Sequence, residues 1–525
     1  MQTDPERTRM RKPVRHMRCP RALREPLIAL WTGLFAHQAF PQTASSVLIR
    51  GGEVIDGTAG PPRRLEIRIR EDRIAEVGVG LTPRRGERLI DASGKVVVPG
   101  FIDIHSHADR GIEEMPEVES QVRQGITTAV VGVDGRSQLP VAEFYWLIER
   151  VHPTINFTTM VGHGTIRGAV LGEDFKRPAT RREIEMMQEL VDRGMRDGAV
   201  GLSSGLEYDP GFHAKPGEVA ALATVVRRYG GWYASHVRDE ENEVLDSWRK
   251  AIDVGRAVGL PVHISHMKLA SRAVWGKARQ ALKLLEDAKR AGVRVTGDWY
   301  PYAYWQSSLY VLIPDRDWGN RKKWELGLHD IGGAQNVLIT SYPPDSSFHG
   351  KTLADLAGAR RTDPASIIQE MLRAAGPRVG IIGTAMDESD LETLVAHPQV
   401  VISSDGSLTG RHPRGYGTFP RVLAHYVRSK GVLTLSEAIA KMTSRSAGIV
   451  GLTDRGRIAA GLKADIVVVD PATVADLATM TDPARAPVGI QSVIVNGEIV
   501  LDGGKMTGAR PGRPLRRQSQ AAIPQ

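Results

Sequence analysis

Over roughly 350 residues, from about 101 to 450, the sequence alternates between short apolar runs and amphipathic stretches. TTAVVGV is followed by EFYWLIERV, NFTTMVG by REIEMMQELVDRGM, and AVGLSSG by PGEVAALATVVRRYG. WYASHV, PVHISHM, VRVTGDWY and VVISSDG continue the series, each with helical sequence before or after it. Apolar runs of this kind read as strands covered on both faces, and parallel strands need crossover helices between them. The alternation therefore predicts an α/β fold, a (β/α)8 TIM-like barrel over 101–450.

The two ends have a different texture. SVLIRGGEVIDG, RRLEIRIREDRIAEVG and RLIDASGKVVVPG alternate apolar and polar residues and break at Gly and Asp, as short strands do. The same pattern returns in KADIVVVDPATV and IQSVIVNGEIVLDGG. Residues 45–100 and 451–510 are thus expected to pair as one small β-sandwich domain built from both chain ends. Residues 310–375 lack a clear strand rhythm and are expected to insert over the barrel mouth.

The formal net charge is +9. Residues 1–44 carry eight Lys/Arg against three Asp/Glu, which places +5 of that charge ahead of the sandwich. In that segment an Arg-rich stretch precedes an apolar run, PLIALWTGLFAHQAF, and then small polar residues. This is the order of a secretory signal and predicts export to the periplasm; read as a bare extension, it would leave the protein in the cytoplasm. The run is too short and interrupted to span a membrane, so no integral membrane segment is expected. The only cysteine, Cys19, lies there too, so a processed chain would have no disulfide and no thiol ligand. Residues 511–525 read as a basic, solvated tail. No aromatic residues are interleaved with its charge, so no nucleic-acid partner is expected.

In a parallel barrel the chemistry sits at the C-terminal ends of the strands. His105 and His107 end the first apolar run, Asp134 follows TTAVVGV, His236 ends WYASH, His266 ends VHISH, and Asp405 ends VVISSD. Any one of these reads as a core, surface or turn residue. Four imidazoles and two carboxylates at successive strand ends read as ligands for zinc or another divalent first-row ion. His263 is three residues from His266 and falls on the other strand face, so it is expected to be structural. His163 and Glu207 stand at strand ends without an assigned role. No G-x-S-x-G elbow and no P-loop or dinucleotide spacing is present.

VPGFIDIHSH, GITTAVVG, VGHGTIR, GLSSGLEYDPG, ASHVRDE, HISHMK, SSDG and HPRGYGTFPR, in that order, resemble the amidohydrolase superfamily, and within it the N-acyl-D-amino-acid deacylase (D-aminoacylase) branch. The resemblance runs over about residues 46–510; GLSSGLEY with HPRGYGTFPR is its most specific part. It implies one or two divalent ions, usually Zn2+. It matches His236 and His266 to the tight metal site and His105 and His107 to a weaker one. Asp405 matches the aspartate that moves the proton from water to the leaving amine. Lys268 and Arg414 match residues that hold the substrate carboxylate, and Tyr208 and Tyr302 match positions near the acyl group. The family usually carries Cys where this chain has Asp134.

The expected substrate is a small N-acyl-D-amino acid or a short peptide. Two other readings stay open: a dipeptidase for peptides ending in a D-residue or a cyclic-amide hydrolase, and a non-catalytic ligand-binding barrel in which Asp134 marks the loss. Acyl group, metal count and oligomeric state are not legible in the residues.

Overall fold

A computed structural model of the chain describes residues 46–314 and 316–517. Eight strands run in sequence order around a barrel: β1 (Phe101–Asp103), β2 (Ile126–Val131), β3 (Asn156–Thr159), β4 (Gly201–Gly205), β5 (Trp232–His236), β6 (Val262–Ile264), β7 (Val295–Trp299) and β8 (Val400–Ile402). Each pairs in parallel with the next; β3 resumes as Val161–Gly162 to reach β4. The first and eighth strands meet beyond their ends, where Ser106–His107 pairs in parallel with Gly406–Ser407.

The crossovers are amphipathic helices, and Arg181–Arg196 shows why they form. Thr180 caps the first turn in a reciprocal capping box with Glu183, and Met187, Val191 and Met195 recur one turn apart to make the buried stripe. Val141–Val151, Pro216–Arg227, Val244–Val258, Ala278–Arg290 and Glu388–Ala396 cover the other strands in the same way. Inside the barrel a separate small core holds Ile104, Val130, Met160, Trp232, Ala234 and Val401. It is the floor of the site.

The chain ends build two sheets. One has four strands, all from residues 46–91. The other has seven and mixes both ends: Val96–Pro99 pairs antiparallel with Ile466–Val469, which pairs with Ile490–Val495. Val47, Ile49, Ile67, Ile69 and Ile90 from the first sheet share one core with Val97, Ile466, Val468 and Ile494 from the second. This is the β-sandwich.

Between β7 and β8, Tyr304–Ser308, Val337–Ser341 and Gly380–Thr384 form a three-stranded antiparallel sheet with Gly380–Thr384 in the middle. Tyr304–Ser308 and Gly380–Thr384 flank residues 310–375, and Val337–Ser341 is a strand within that stretch. The C-terminal stretch differs from the expected solvated tail. Leu515 N donates to Phe157 O (2.7 Å), Arg517 N to Gly198 O (2.8 Å) and Arg513 N to the Asn156 side chain (3.1 Å). Backbone donors on this segment and acceptors on the barrel flank satisfy one another, which charge pattern alone does not reveal. Among the described residues, no helix is long and apolar enough to cross a membrane.

Candidate active site

The C-terminal ends of β1, β2, β5, β6 and β8 converge on a cavity of about 480 Å³. His107, Asp134, His236, His266 and Asp405 line it, with Glu207, Tyr208, Glu240, Lys268 and Arg414. His105 lies just beneath, fully buried. Three of these residues sit at positive φ although they are not glycine: Asp134 (52°), His266 (33°) and Asp405 (48°). Each ends a barrel strand by turning its side chain back over the mouth, a backbone cost of the kind found at functional sites.

Two ligand groups share Asp134. In one, His107 Nε2 lies 3.2 Å from Asp134 Oδ2 and 3.3 Å from Asp405 Oδ1, and His105 Nε2 lies 3.3 Å from Asp134 Oδ1. In the other, His236 Nδ1 faces His266 Nε2 at 2.9 Å, with Asp134 Oδ1 at 3.4 Å from His266 and 4.0 Å from His236. Ligand atoms held tetrahedrally at ~2.0–2.1 Å from zinc stand roughly 3.3 Å apart; the first group has that spacing, and the second brackets it at 2.9–4.0 Å. His105 Nε2 and Asp134 Oδ1 are buried and make no hydrogen bond among the described residues. Buried polar atoms without partners are rare and expensive, so both are atoms aimed at something the chain does not itself supply.

The far nitrogens agree. His236 Nε2 meets Glu207 Oε2 at 2.8 Å, His266 Nδ1 meets Glu240 Oε1 at 3.0 Å, and His105 Nδ1 is 3.5 Å from Asp298 Oδ2. The carboxylates behind His236 and His105 favour the tautomer that leaves the other nitrogen's lone pair for an ion, while His266 Nδ1 faces Lys268 Nζ at 2.8 Å as well as Glu240. The donor set therefore fits a divalent metal. Asp134 supplies oxygen to both groups, in the place where the family resemblance puts a thiolate.

Asp405 faces His107 on one oxygen and Arg414 Nη1 on the other, at 2.7 Å. Burial by itself would raise its carboxyl, but Arg414 and the surrounding imidazoles hold it well below the usual carboxylate range. It is ionised at neutral pH. Lys268 Nζ is 2.6 Å from Glu240 Oε2. Burial opposes its charge, yet the Glu240 carboxylate more than offsets that and raises the ammonium above its ordinary value.

The structure brings together His105, His107, Asp134, His236, His266, Asp405, Lys268, Arg414 and Tyr208. Tyr302 is a correction. It is buried behind the cavity, with the Arg421 guanidinium 5.0 Å from its ring and its hydroxyl toward Asp476. β7 stops at Trp299, and Tyr302 N turns back to Tyr300 O (3.1 Å) across Pro301, so strand alternation no longer applies. Tyr300 takes the nearer place, its ring 4.9 Å from the Arg414 guanidinium and 5.9 Å from Lys268 Nζ. His163 is structural, locked to Glu218 Oε1 at 2.8 Å. His263 holds Asp298 at 2.9 Å from below. Asp298 and Glu240 had gone unmarked; VTGDWY puts a carboxylate at a strand end, as SSDG does, and that signal was available.

A barrel mouth with this ligand set, its backing carboxylates and an ionised aspartate points to one kind of fold and site. The amidohydrolase family model matches residues 88–501. The chain belongs to the amidohydrolase family. It is 36% identical to N-acyl-D-glutamate deacylase from Alcaligenes xylosoxydans xylosoxydans, over 92% of this chain and 98% of that protein. Its fold superposes on the crystal structure of N-acyl-D-glutamate deacylase from Bordetella bronchiseptica, complexed with zinc and a phosphonate inhibitor. The TM-score is 0.81 at 34% identity, over 90% of this chain and 100% of that one. A D-aminoacylase crystal structure superposes with TM-score 0.80 at 35% identity, over 90% and 99% of the two chains. In this amidohydrolase, Asp134 sits at the shared vertex of the two groups, so the Asp-for-Cys exchange falls on the atom both depend on.

Proposed function

We propose that this amidohydrolase is a zinc-dependent hydrolase that cleaves N-acyl-D-amino acids to a carboxylate and a free D-amino acid. The observation that carries the reading is the pairing of an ionised Asp405 with a buried, carboxylate-backed histidine set across one cavity. His236, His266 and Asp134 would hold one ion, with His105 and His107 beside it. Zinc, when bound, supplies an electrophile for the scissile carbonyl and acidifies water next to it.

The protein's own groups do the rest. Asp405, kept ionised by Arg414, accepts the proton of the attacking water and returns it to the amide nitrogen as the C–N bond breaks. Arg414 and Lys268 are the cations placed to take the substrate α-carboxylate; a planar guanidinium suits it bidentately. Tyr208, whose ring packs 4.4 Å from that of His236, is placed to reach the carbonyl side. Each carboxylate behind a histidine keeps its ring from rotating.

The test is amine release from matched N-acetyl-D- and N-acetyl-L-amino acids, with bound zinc counted. Zinc-dependent release from the D set alone is expected. Release from neither set, with zinc bound, would sink the reading in favour of a peptide or cyclic amide. No zinc bound would make Asp134 a lesion.

We also infer export, which rests only on the order of residues 1–44. Those residues lie outside the described ones. Fractionation of cells expressing the full chain tests it; protein confined to the cytoplasm at full length would overturn it.

A further inference from the structure

Beside the cavity that holds the ligand groups lies a second hollow of about 170 Å³. The two share Arg136, Glu207, Tyr208, Ser308, Val311 and Pro377, so the second is an annexe of the first. Its outer wall is largely apolar: Tyr310, Ile313, Pro314 and Trp318, all from the insert between β7 and β8. The Tyr310 and Trp318 rings stack at 4.0 Å and 15°, which gives that wall a fixed aromatic surface. Arg316 belongs to the same wall but is turned to its neighbours. It pairs with Asp209 (2.5 Å), donates to Glu207 O (2.7 Å) and lies 3.8 Å from the centre of the Phe212 ring.

Strand order sets the direction of the annexe. Arg136 follows β2, and Glu207 and Tyr208 follow β4; Lys268 follows β6 and Arg414 follows β8. The strands run in sequence around the barrel, so the annexe and these two cations lie on opposite sides of the mouth, with His236 on β5 between them. Lys268 and Arg414 line the main cavity and not the annexe. A secondary amide is trans, so its α-carbon and its acyl carbon leave the C–N bond in opposite directions. With the α-carboxylate on the cations, the acyl group points to the β2–β4 side. The amino-acid side chain branches from the α-carbon and stays on the side of the carboxylate. An acetyl group offers one methyl, too little to fill the annexe, whereas an apolar cavity of ~150 Å³ admits a benzene ring.

We propose that the annexe is an acyl-group subsite and that the substrate's acyl group ends in an apolar body the size of a phenyl ring, seated against Ile313, Tyr310 and Trp318. The reaction it undergoes rests on the deacylase reading above; the acyl preference goes beyond it.

The experiment compares kcat/KM for N-phenylacetyl-D-alanine and N-acetyl-D-alanine. The phenylacetyl substrate is expected to win by about tenfold, the low end of what an apolar group contributes in a fitted pocket. Ile313→Trp fills the annexe and should bring the ratio to about one. Trp318→Ala removes half of the stacked wall and should lower the ratio several-fold. Both substrates are measured on the same preparation of each variant, so a loss of folded protein cancels in the ratio. The second readout is calorimetric binding of the same two compounds to the zinc-free full chain. The phenylacetyl compound should bind about tenfold tighter, with the more negative heat-capacity change that apolar burial gives, and Ile313→Trp should abolish both differences. Equal or better turnover of the acetyl substrate overturns the proposal, as does a phenylacetyl advantage that survives Ile313→Trp. So does a variant that spares this ratio and instead collapses the ratio of N-acetyl-D-phenylalanine to N-acetyl-D-alanine, which would give the annexe to the side chain. If nothing is hydrolysed but the binding preference is present and lost in Ile313→Trp, the deacylase reading falls and the apolar subsite stands.

Discussion

Single side chains decide whether this mouth holds an ion. Glu207 illustrates it: its Oε2 is the nearest carboxylate oxygen to His236 Nε2, at 2.8 Å, with Glu240 Oε2 at 3.9 Å. Glu207→Gln keeps the shape but turns an acceptor into an ambiguous amide. It is expected to lower zinc affinity about 10–100-fold with the fold intact, read by competition with a chelator. Unchanged affinity would show that His236 is not a ligand. At the other end of the barrel Lys441 is fully buried, donating to His397 O (2.6 Å) and Val400 O (2.7 Å). Burial and the nearby Arg445 push its ammonium down to about 7. The unfolded chain, near 10.4, then binds more protons than the folded one between those values. Stability from this group therefore rises as pH climbs from 7 toward 10 and is lost on the way down. Lys441→Met is expected to flatten that slope, measured as Tm at pH 7 and 9.5; parallel slopes for both proteins would refute it.

At the scale of elements, the site depends on how closely strand ends approach one another. A Cβ on Gly205, at the end of β4, would lie 2.3 Å from Asp134 O, and one on Gly135 would lie 2.7 Å from Gly205 N. Only two bare backbones can pass at this distance, and the passage presses Asp134 toward the histidines. Gly205→Ala is expected to cut bound zinc and activity together while Tm falls by only a few degrees. Full zinc occupancy in the variant would show that the loop has room to move. The strands themselves were readable because each is an apolar run between breakers. The side chains beyond their ends were harder. Tyr300 and Tyr302 share a face in an extended chain, but β7 has ended and Pro301 has turned the backbone. The turn then separates the two rings instead of aligning them.

For the whole molecule, the sandwich and barrel are joined by a buried polar network. Asp465 accepts from Asn496 N (2.7 Å), pairs with Arg455, and neighbours Asn156 on β3 (3.4 Å). Asn496 in turn donates to Asn156 Oδ1 (2.7 Å) and to Pro511 O (2.8 Å). Asp465→Ala leaves the Arg455 guanidinium buried without its partner, at a cost of about 3–5 kcal/mol. The expected result is a large drop in the denaturant midpoint. A shift under 1 kcal/mol would mean that water or Asp454 takes over the charge. The same network explains why residues 511–517 follow the barrel flank instead of solvent: their backbone groups complete it.

What the sequence determined by itself is the set of elements and the donors at their ends. Period-2 and period-3.6 patterns are local, so the barrel, the paired chain ends and the six donors at the strand ends could be read from the pattern along the chain. What only the tertiary structure decided is which atoms meet. Asp298, Glu240 and Glu207 stand 193, 135 and 102 residues after His105 in the numbering, yet two of them back histidines on other strands and one backs His105 itself. Arg110 and Arg136 are ordinary surface arginines in sequence, and only the tertiary structure shows that both line the cavity. Pairing across the barrel is a long-range property, set by packing and strand order, and no local pattern encodes it.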